Sequence, residues 1–273
     1  MVPKISLIIP CYNSEATLEA TLESVLNQIF DEWEAIIVND GSTDSTEQIA
    51  KKWIEKDQRF KYFFKKNEGL GKARNYGIER AAGTFILPLD SDNLVDKYFC
   101  KKALEVFKNN ETVDVVHGYA EYFGEKQGLW KIDDFDIQKM LADNYIDACA
   151  IFKKVLWEKA GGYDEEMPHQ GHEDWEFWIS ISNYGAVFFN LHAVTFKYFV
   201  SNKSMIHSFT SDMFFLNRDY IVKKHSKLYY DHYAKIVSAR AKELRRLTSK
   251  KFVIDIFMDT FFGFRIFNRK RHK

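Results

Sequence analysis

Two carboxylates, two residues apart, follow an apolar run of strand length. The run covers residues 85–89, and Asp90 and Asp92 come directly after it. If the strand continues, residues i and i+2 project to the same side, so both acids converge at the end of a buried strand. They repel each other unless a cation lies between them, and a hard divalent cation that carries substrate phosphates prefers such oxygen ligands. The pair therefore predicts a metal site, although an acidic turn before a helix N-cap uses the same residue types.

An arginine lies on the apolar side of the helix predicted over residues 69–82. At about 100° per residue, five small or apolar residues share one arc with Arg74: Leu70, Ala73, Gly77, Ile78 and Ala81. An unpaired charge on a buried face is costly, so the guanidinium needs a partner. That partner is either a carboxylate from the neighbouring rim of the fold or the base or phosphate of a ligand. The sequence leaves both interpretations open.

A second pair of acids, Glu173 and Asp174, begins a predicted helix that is rich in aromatic residues. The helix dipole favours acids in the first turn of any helix, so a structural role stands beside a catalytic one. His169 and His172 precede the pair, but they have no second pair of Cys or His and therefore no metal-site pattern. We expect both histidines to be loop residues.

Strands and helices alternate along the first ninety residues. Strands are predicted at 5–9, 35–38, 60–64 and 85–89, with helices between them. This rhythm indicates βαβ units, so the predicted fold class is α/β, with a Rossmann-like, mostly parallel sheet flanked by helices. In such sheets, ligands bind outside the carboxyl ends of the strands. The polar clusters at 10–14, 39–44 and 90–92 each follow a strand, and we expect them to meet on one rim.

The composition is that of a globular protein in a reducing compartment. Of the 273 residues, 46% are hydrophobic, which is enough for a sizeable core and argues against global disorder. The three cysteines, Cys11, Cys100 and Cys149, are odd in number and lack metal-site spacing, so no disulfide scaffold is expected. Residues 1–4 lead into the first predicted strand without an apolar signal segment, which predicts a cytoplasmic protein.

The formal net charge of zero hides a basic C-terminal end. Residues 223–273 hold 15 Lys and Arg against 4 Asp and Glu, or +11, whereas residues 1–222 hold 24 against 35, or −11. Such an asymmetry predicts an anionic partner. A nucleic-acid partner is not expected, because no recognised binding motif accompanies the charge.

An apolar segment lies within this basic end. Residues 252–267 are almost entirely apolar, but sixteen residues with three charges are too short and too charged to span a bilayer. We therefore expect residues 250–273 to lie in the interface of an anionic membrane. The alternative is a helix packed on the catalytic domain or on a second subunit in a homodimer.

Five motifs stand in order between residues 5 and 200. They are Pro-Cys-Tyr-Asn at 10–13, Val-Asn-Asp-Gly-Ser-Thr-Asp at 38–44, Asn-Glu-Gly-Leu-Gly-Lys-Ala-Arg-Asn-Tyr-Gly at 67–77, Asp-Ser-Asp at 90–92, and Gly-Gly-Tyr-Asp at 161–164 with Glu-Asp-Trp at 173–175. Each is weak alone, but the ordered set closely resembles the family 2 inverting glycosyltransferases. The resemblance implies a GT-A domain over residues 1–207, with a basic helical C-terminal extension over residues 208–273.

The resemblance also implies a nucleotide-sugar donor, most often a UDP-sugar. Tyr12 would stack on the nucleobase, Asp40 would accept a hydrogen bond from its ring N–H, and Arg74 would reach the nucleotide. The implied donor-binding set is Pro10, Tyr12, Asn13, Asp40, Arg74, Asp90 and Ser91.

For the chemistry, the resemblance implies a divalent cation, Mn²⁺ or Mg²⁺. Asp92 would ligate the metal on the diphosphate, and Asp90, the second candidate ligand, would face the sugar and the ribose. Asp174 would be the general base, with Glu173 beside it helping to place the acceptor. A Lewis-acid metal stabilises the charge on the departing diphosphate, and a positioned carboxylate removes the proton of the acceptor hydroxyl.

The chain departs from the family pattern in two places. Asn39 stands where Asp is common in the second motif. Relatives often carry Tyr-Arg-x-His-x-x-Ser around a third metal or phosphate contact, whereas residues 198–204 here read Tyr-Phe-Val-Ser-Asn-Lys-Ser, without the Arg and the His. Lys203 and His207 are the candidates to replace them.

The predicted function is therefore metal-dependent, inverting glycosyl transfer to a saccharide or lipid-linked saccharide acceptor. It would serve the biosynthesis of a cell-surface polysaccharide, from the cytoplasm or peripherally on the inner face of the plasma membrane. One alternative is a nucleotide-sugar-binding protein without turnover. The other is a nucleotidyltransferase, but that class would want a Gly-rich, basic loop after the first strand, where Pro-Cys-Tyr-Asn stands.

Overall fold

The computed structural model of the chain describes residues 2–201, 209–262 and 264–267. The chain divides into two compact units, Met1–Lys224 and His225–Lys273. All five motifs lie in the first unit. The predicted boundary at residues 207 and 208 falls outside the described residues and stays a prediction.

In the described part of the first unit, nine strands form one sheet. They are β1 (Ile5–Cys11), β2 (Trp33–Asp40), β3 (Phe60–Lys65), β4 (Phe85–Pro88), β5 (Leu94–Val95), β6 (Val115–Gly124), β7 (Gly128–Trp130), β8 (Ile151–Lys153) and β9 (Phe188–Val200). Their order is β3-β2-β1-β4-β8-β6-β9-β5, and β7 pairs with β6. β1 to β4 pair in parallel, whereas β8 runs antiparallel to both β4 and β6. β6 and β9 also pair in parallel. The predicted α/β class is confirmed, and antiparallel pairing joins β8 to β4 and β6, β7 to β6, and β5 to β9.

Helices flank this sheet. They are α1 (Leu18–Leu26), α2 (Thr46–Lys56), α3 (Leu70–Glu79), α4 (Phe99–Asn109), α5 (Ile137–Ala142), α6 (Lys154–Ala160), α7 (Glu173–Ser182) and α8 (Ser211–Lys224). Every residue of β1 and β2 is buried. This is the pattern of parallel strands covered by helices on both faces.

The close approach of α3 to the sheet depends on a glycine. A Cβ on Gly77 would lie 2.6 Å from Cγ2 of Ile8 in β1 and 3.1 Å from Cγ2 of Val38 in β2. Because both contacts are with buried, branched side chains of the core, a larger residue would push the helix outward. The glycine therefore brings the arginine on α3 close to the strand ends.

The starts of α4 and α1 are set by their surroundings. α4 begins only at Phe99, because residues 94 and 95 pair with β9 as the short strand β5. The N-cap of α1 is Thr17, whose amide donates to the backbone carbonyl of Ser14 in the preceding turn.

The second unit contains two helices in its described part, α9 (Ser226–Leu247) and α10 (Lys250–Phe262). After α10 the chain turns back, and the amides of Ile266 and Phe267 both donate to Oδ1 of Asp255 at 2.8 Å. The predicted apolar segment therefore contains a helix, and residues 266 and 267 after it are bonded back to that helix at Asp255. No helix in the described part of the chain is long and apolar enough to cross a membrane.

Candidate active site

The three polar clusters that follow β1, β2 and β4 meet on one rim of the sheet. Asn13 donates its backbone N–H to Oγ of Ser42 at 2.9 Å, and its Oδ1 accepts from the amide of Thr43 at 2.9 Å. The hydroxyls of Ser14 and Ser91 lie 2.7 Å apart. These bonds join the first, second and fourth motifs, so the sequence prediction of a common rim is confirmed.

At the end of β1, one aromatic side chain is open to solvent. Pro10 is buried in the strand opposite Val38, whereas Tyr12 keeps 54% of its surface exposed. An exposed aromatic ring beside a cluster of polar groups provides a face on which a planar base can stack. The backbone at Asn13 adopts φ of +50°, and this left-handed turn leads the chain away from the strand.

Asp40, at the end of β2, anchors the loop that leads into α3. Its Oδ1 accepts from Nζ of Lys65 at 2.7 Å and from the amide of Glu68 at 3.1 Å, and its Oδ2 accepts from the amide of Gly69 at 2.9 Å. The carboxylate is 4% exposed. A carboxylate has about four lone-pair sites, so three donors leave capacity for one more hydrogen bond.

Arg74 links the two acid motifs. It is 2% exposed, and its Nη2 lies 2.7 Å from Oδ1 of Asp90 while its Nη1 lies 3.4 Å from Oε1 of Glu173. These carboxylates compensate the buried charge and hold the pKa of the guanidinium above its usual value despite burial. Of the two partners that the sequence left open for Arg74, the structure shows the carboxylates. Contact of Arg74 with a nucleotide stays a prediction.

Asp92 lies beside Asp90 in a partly buried position. Burial, and next the charge of Asp90, raise the pKa of Asp92 to about 7. Two neighbouring carboxylates of this kind are oxygen donors whose mutual repulsion a divalent cation relieves. In the described part of the chain, no group of three or more His, Cys, Asp or Glu is placed to hold a metal. A cation here would therefore need oxygens from the diphosphate or water besides the two aspartates.

Asp174 lies in the first turn of α7, as predicted. Its Oδ1 accepts from the amide of Trp175 at 2.8 Å, and its Oδ2 accepts from Nδ2 of Asn144 at 3.0 Å. Burial raises its pKa to about 6, although the charge of Arg74 acts in the opposite direction. A carboxylate with that pKa is ionised at neutral pH and still basic enough to accept a proton.

Glu173 faces the interior of the site. It is 2% exposed, and its Oε2 accepts from the amide of Gly171 at 2.6 Å while Oε1 pairs with Arg74. This carboxylate therefore closes the turn before α7 and attaches it to α3. Its predicted role in placing an acceptor stays a prediction.

The sequence reasoning did not identify Asp147 and Asn144, both from the segment between α5 and β8. Burial, and next the charge of Asp90, raise the pKa of Asp147 to about 8, and its Oδ1 accepts from the amide of Cys149 at 2.8 Å. Because β8 is antiparallel to β4, its start lies at the rim where β4 ends. In the sequence, these two residues appear only as part of a polar segment before a strand. Such a segment indicates a position on this rim only when the direction of the strand is known.

The loop before α7 is held by α8. Asn217 on α8 accepts at Oδ1 from the amide of His169 and donates from Nδ2 to its carbonyl, each at 2.8 Å, and Nδ2 lies 3.2 Å from Nδ1 of His172. Gln170, between the histidines, accepts from the amide of Leu70 at 3.0 Å. His169 is a loop residue, as expected, and His172 is the N-cap of α7. Lys203 and His207, the candidates for a further contact, lie outside the described residues.

Comparison with known proteins gives the family. The family model described as Glycosyl transferase family 2 matches residues 6–180, more than half of the chain. The chain belongs to glycosyl transferase family 2. The predicted family is thereby confirmed, and the match spans all five motifs.

Curated relatives of this family 2 member include bacterial proteins. An uncharacterized glycosyltransferase of Haemophilus influenzae is 41% identical over 186 residues, which are 65% of this chain and 71% of the relative. Against three other relatives, the chain spans only 40%, 26% and 63% of their length. These relatives are thus longer proteins that share the family 2 domain.

Solved structures confirm the GT-A fold of this family 2 chain. S. aureus TarS 1–349 in complex with UDP-GlcNAc matches with a TM-score of 0.67 and 23% identity, over 78% of this chain and 64% of that one. The mannosyltransferase PcManGT from Pyrobaculum calidifontis, in complex with GDP-Man and Mn²⁺, matches with a TM-score of 0.58 and 19% identity, over 75% and 59%. At these identities, the likeness is one of fold.

Proposed function

We propose that this family 2 glycosyltransferase moves a sugar from a nucleotide-sugar donor, a UDP-sugar, to a hydroxyl of a saccharide or lipid-linked saccharide acceptor, with inversion at the anomeric carbon. The observation that carries the proposal is the bridge through Arg74, whose guanidinium joins Asp90 and Glu173 at 2.7 and 3.4 Å. It brings the acids after β4 and the acids of α7 into one site. A donor end and a proton-accepting end thus lie side by side.

The donor end is the rim after β1, β2 and β4. Tyr12 offers a stacking face and Asp40 has capacity for one N–H of a base. Asn13 bonds to the loop after β2, and Ser91 bonds to Ser14 in the loop after β1. Asp92, with Asp90, would hold Mn²⁺ or Mg²⁺. When bound, such a cation would neutralise charge on the diphosphate leaving group. The complexes of TarS with UDP-GlcNAc and of PcManGT with GDP-Man and Mn²⁺ support this assignment.

Asp174 acts as the general base at the other end. Its carboxylate accepts the proton of the acceptor hydroxyl while the hydroxyl oxygen forms a bond to the anomeric carbon. The bond from that carbon to the phosphate oxygen breaks, and the electron pair leaves with the nucleoside diphosphate. One in-line displacement inverts the anomeric configuration, so a single base suffices. Glu173, held by Arg74 and Gly171, orients the acceptor side.

The second unit offers a surface for a membrane. On α10, the side chains of Val253, Phe257, Phe261 and Phe262 are all more than half exposed, and Lys250 and Lys251 stand at the start of the helix. Exposed apolar residues beside cations favour the interface of an anionic bilayer. We assign the protein to the cytoplasmic face of the plasma membrane, where lipid-linked acceptors for cell-surface polysaccharide are elongated. A homodimer through the same surface is the competing assignment.

Vesicle binding separates the two assignments for α10. The chain should sediment with vesicles of phosphatidylglycerol and phosphatidylcholine and not with phosphatidylcholine alone. Phe261→Glu should weaken this binding, and Tyr184→Glu, which changes an exposed aromatic residue of the first unit, should not. Concentration-dependent dimerisation that Phe261→Glu abolishes, without vesicle binding, would favour the homodimer.

Turnover tests the proposed reaction directly. The protein is incubated with Mn²⁺ and a panel of UDP-sugars and GDP-mannose, with membrane extract as the source of acceptors, and the released nucleoside diphosphate is measured. Release that Asp92→Ala and Asp174→Asn abolish supports the proposal. Binding of a donor without release in any combination would favour a nucleotide-sugar-binding protein. A parallel incubation replaces the donors by UTP or GTP with a sugar 1-phosphate, and release of pyrophosphate there would favour a nucleotidyltransferase.

A further inference from the structure

Asn144 lies beside Asp174 although it belongs to none of the five motifs. Its Nδ2 donates to Oδ2 of Asp174 at 3.0 Å, while the amide of Trp175 donates to Oδ1 at 2.8 Å. Each carboxylate oxygen thus accepts one fixed N–H. Each also keeps a lone pair with which it can accept a proton. The carboxylate plane is set by two donors from different parts of the chain.

The amide group of Asn144 is oriented by this bond. An ionised carboxylate only accepts hydrogen bonds, so the NH₂ side of the amide must face Asp174. The other side of the amide, Oδ1, is buried and has no hydrogen-bond partner among the residues that the structure describes. A buried acceptor without a partner destabilises the folded state. Stability alone therefore does not explain an asparagine at this position. The bond to Asp174 does.

Two tryptophans of α7 hold the segment that carries Asn144. Nε1 of Trp175 donates to the carbonyl of Met140 at 2.6 Å, and Nε1 of Trp178 donates to the carbonyl of Ile146 at 3.0 Å. Both indoles are fully buried. The backbone is thus tied to α7 on both sides of Asn144, and α7 is the helix on which Asp174 stands. The distance between the two side chains is fixed by the fold.

We propose that Asn144 is the positioning residue of the general base: its amide holds the carboxylate of Asp174 in the orientation in which that carboxylate accepts the proton of the acceptor hydroxyl. This inference rests on the proposed function, because it takes Asp174 as the base. Asn144 itself exchanges no proton. Misorientation of a catalytic group by about 1 Å is enough to lower turnover by about a hundredfold.

The same bond affects the acidity of Asp174. A donor that binds the ionised form lowers the pKa of a carboxyl, so its removal should raise the pKa and move the acidic limb of the rate profile to higher pH. Other groups that act on Asp174 are Arg74 from α3, Glu173 from α7, Tyr163 from the turn after α6, Asp147 before β8 and Tyr198 from β9. These are unchanged by a substitution at residue 144.

The test uses the full chain with two substitutions at residue 144. Asn144→Leu removes both the donor and the unpartnered acceptor at similar volume, and Asn144→Gln keeps an amide. Asn109→Leu, in the exposed last turn of α4, is the matched control. Nucleoside diphosphate release from UDP-GlcNAc, or from whichever panel donor turns over, gives kcat and KM with Mn²⁺ across pH 5 to 9, and thermal unfolding gives Tm.

We expect Asn144→Leu to lower kcat roughly ten- to hundredfold with the donor KM unchanged and the acidic limb moved upward. Its Tm should be equal to or above that of the parent protein, and Asn144→Gln should recover part of the lost kcat. A kcat within twofold of the parent, or a loss of kcat accompanied by a fall in Tm and an unmoved limb, overturns the inference. Asp174→Asn is measured in parallel: if that variant keeps its activity, the proposed base is wrong; if it is inactive while Asn144→Leu is fully active, only the positioning role fails.

Discussion

The donor rim and the α7 side of the site use the same residue type in two different environments. On the donor rim, Asp40 and Asp90 are each paired with a buried cation, Lys65 and Arg74, at 2.7 Å. On the α7 side, Asp174 has two neutral N–H donors, and burial raises its pKa to about 6. Asp40 and Asp90 are held by cations, whereas a desolvated carboxylate such as Asp174 can exchange a proton near neutral pH. Asp92 on the donor rim is desolvated as well, and there a bound metal cation would take the place of the proton. The different roles that we propose for the donor rim and for Asp174 follow from these different environments.

The largest expected effect separates the two sides by kinetics. Asp174→Asn removes the base and should lower kcat by about 10²–10⁴ while donor affinity stays unchanged. Asp92→Asn, on the donor rim, should instead abolish the Mn²⁺-dependent part of donor binding. Nucleoside diphosphate release and titration calorimetry with the donor measure the two quantities. Asp212→Asn, in the exposed first turn of α8, is the control, and equal loss of donor affinity in both site variants would contradict the division.

The link between the two sides should appear in stability. Arg74→Ala leaves the buried Glu173 and the partly buried Asp90 without their cation, which should lower the free energy of unfolding by about 3–5 kcal/mol. Urea unfolding followed by circular dichroism measures this quantity. Arg80→Ala removes an exposed arginine just after the same helix and should cost less than about 1 kcal/mol. A similar decrease in the free energy of unfolding in both variants would show that the ion pairs of Arg74 do not stabilise the fold.

The raised pKa of Asp174 predicts the acid side of the pH profile. A general base must be ionised to accept a proton, so kcat should be retained above pH 6 and fall about tenfold per unit as the pH drops through about 6. An unperturbed aspartate would place this limb at about pH 4. Rates from pH 4.5 to 9 at saturating donor locate the limb. A flat profile down to pH 4.5 would mean that burial does not perturb this carboxyl.

The smallest expected effect concerns the cation. The pKa of Asp92 is about 7 without a metal, so protons compete with Mn²⁺ below that pH and compete little above it. Mn²⁺ with UDP should therefore raise Tm by a few degrees more at pH 8 than at pH 6. Asp174→Asn should keep this difference and Asp92→Asn should lose it. Differential scanning fluorimetry measures both, and a shift that does not depend on pH would argue against Asp92 as a ligand.

Much of the donor rim could be predicted from the sequence because its parts are local. The turns after β1, β2 and β4 each follow an apolar strand directly, and parallel strands place such turns on one edge. The position of Arg74 on the helix wheel indicated that it needs a partner. The sequence did not reveal which partner, because Asp90 and Glu173 are 16 and 99 residues away.

The sequence by itself determined the alternation of strands and helices over the first ninety residues, the family motifs, and the four acids at the end of β4 and the start of α7. Hydrophobic periodicity and turn residues act over a few positions, so they are readable along the chain. Only the tertiary structure decided that β8 runs antiparallel to β4, which brings Asn144 and Asp147 to the rim, and that burial separates Asp174 from the paired acids. Strand direction and desolvation depend on contacts between distant residues, and these exist only once the chain has folded.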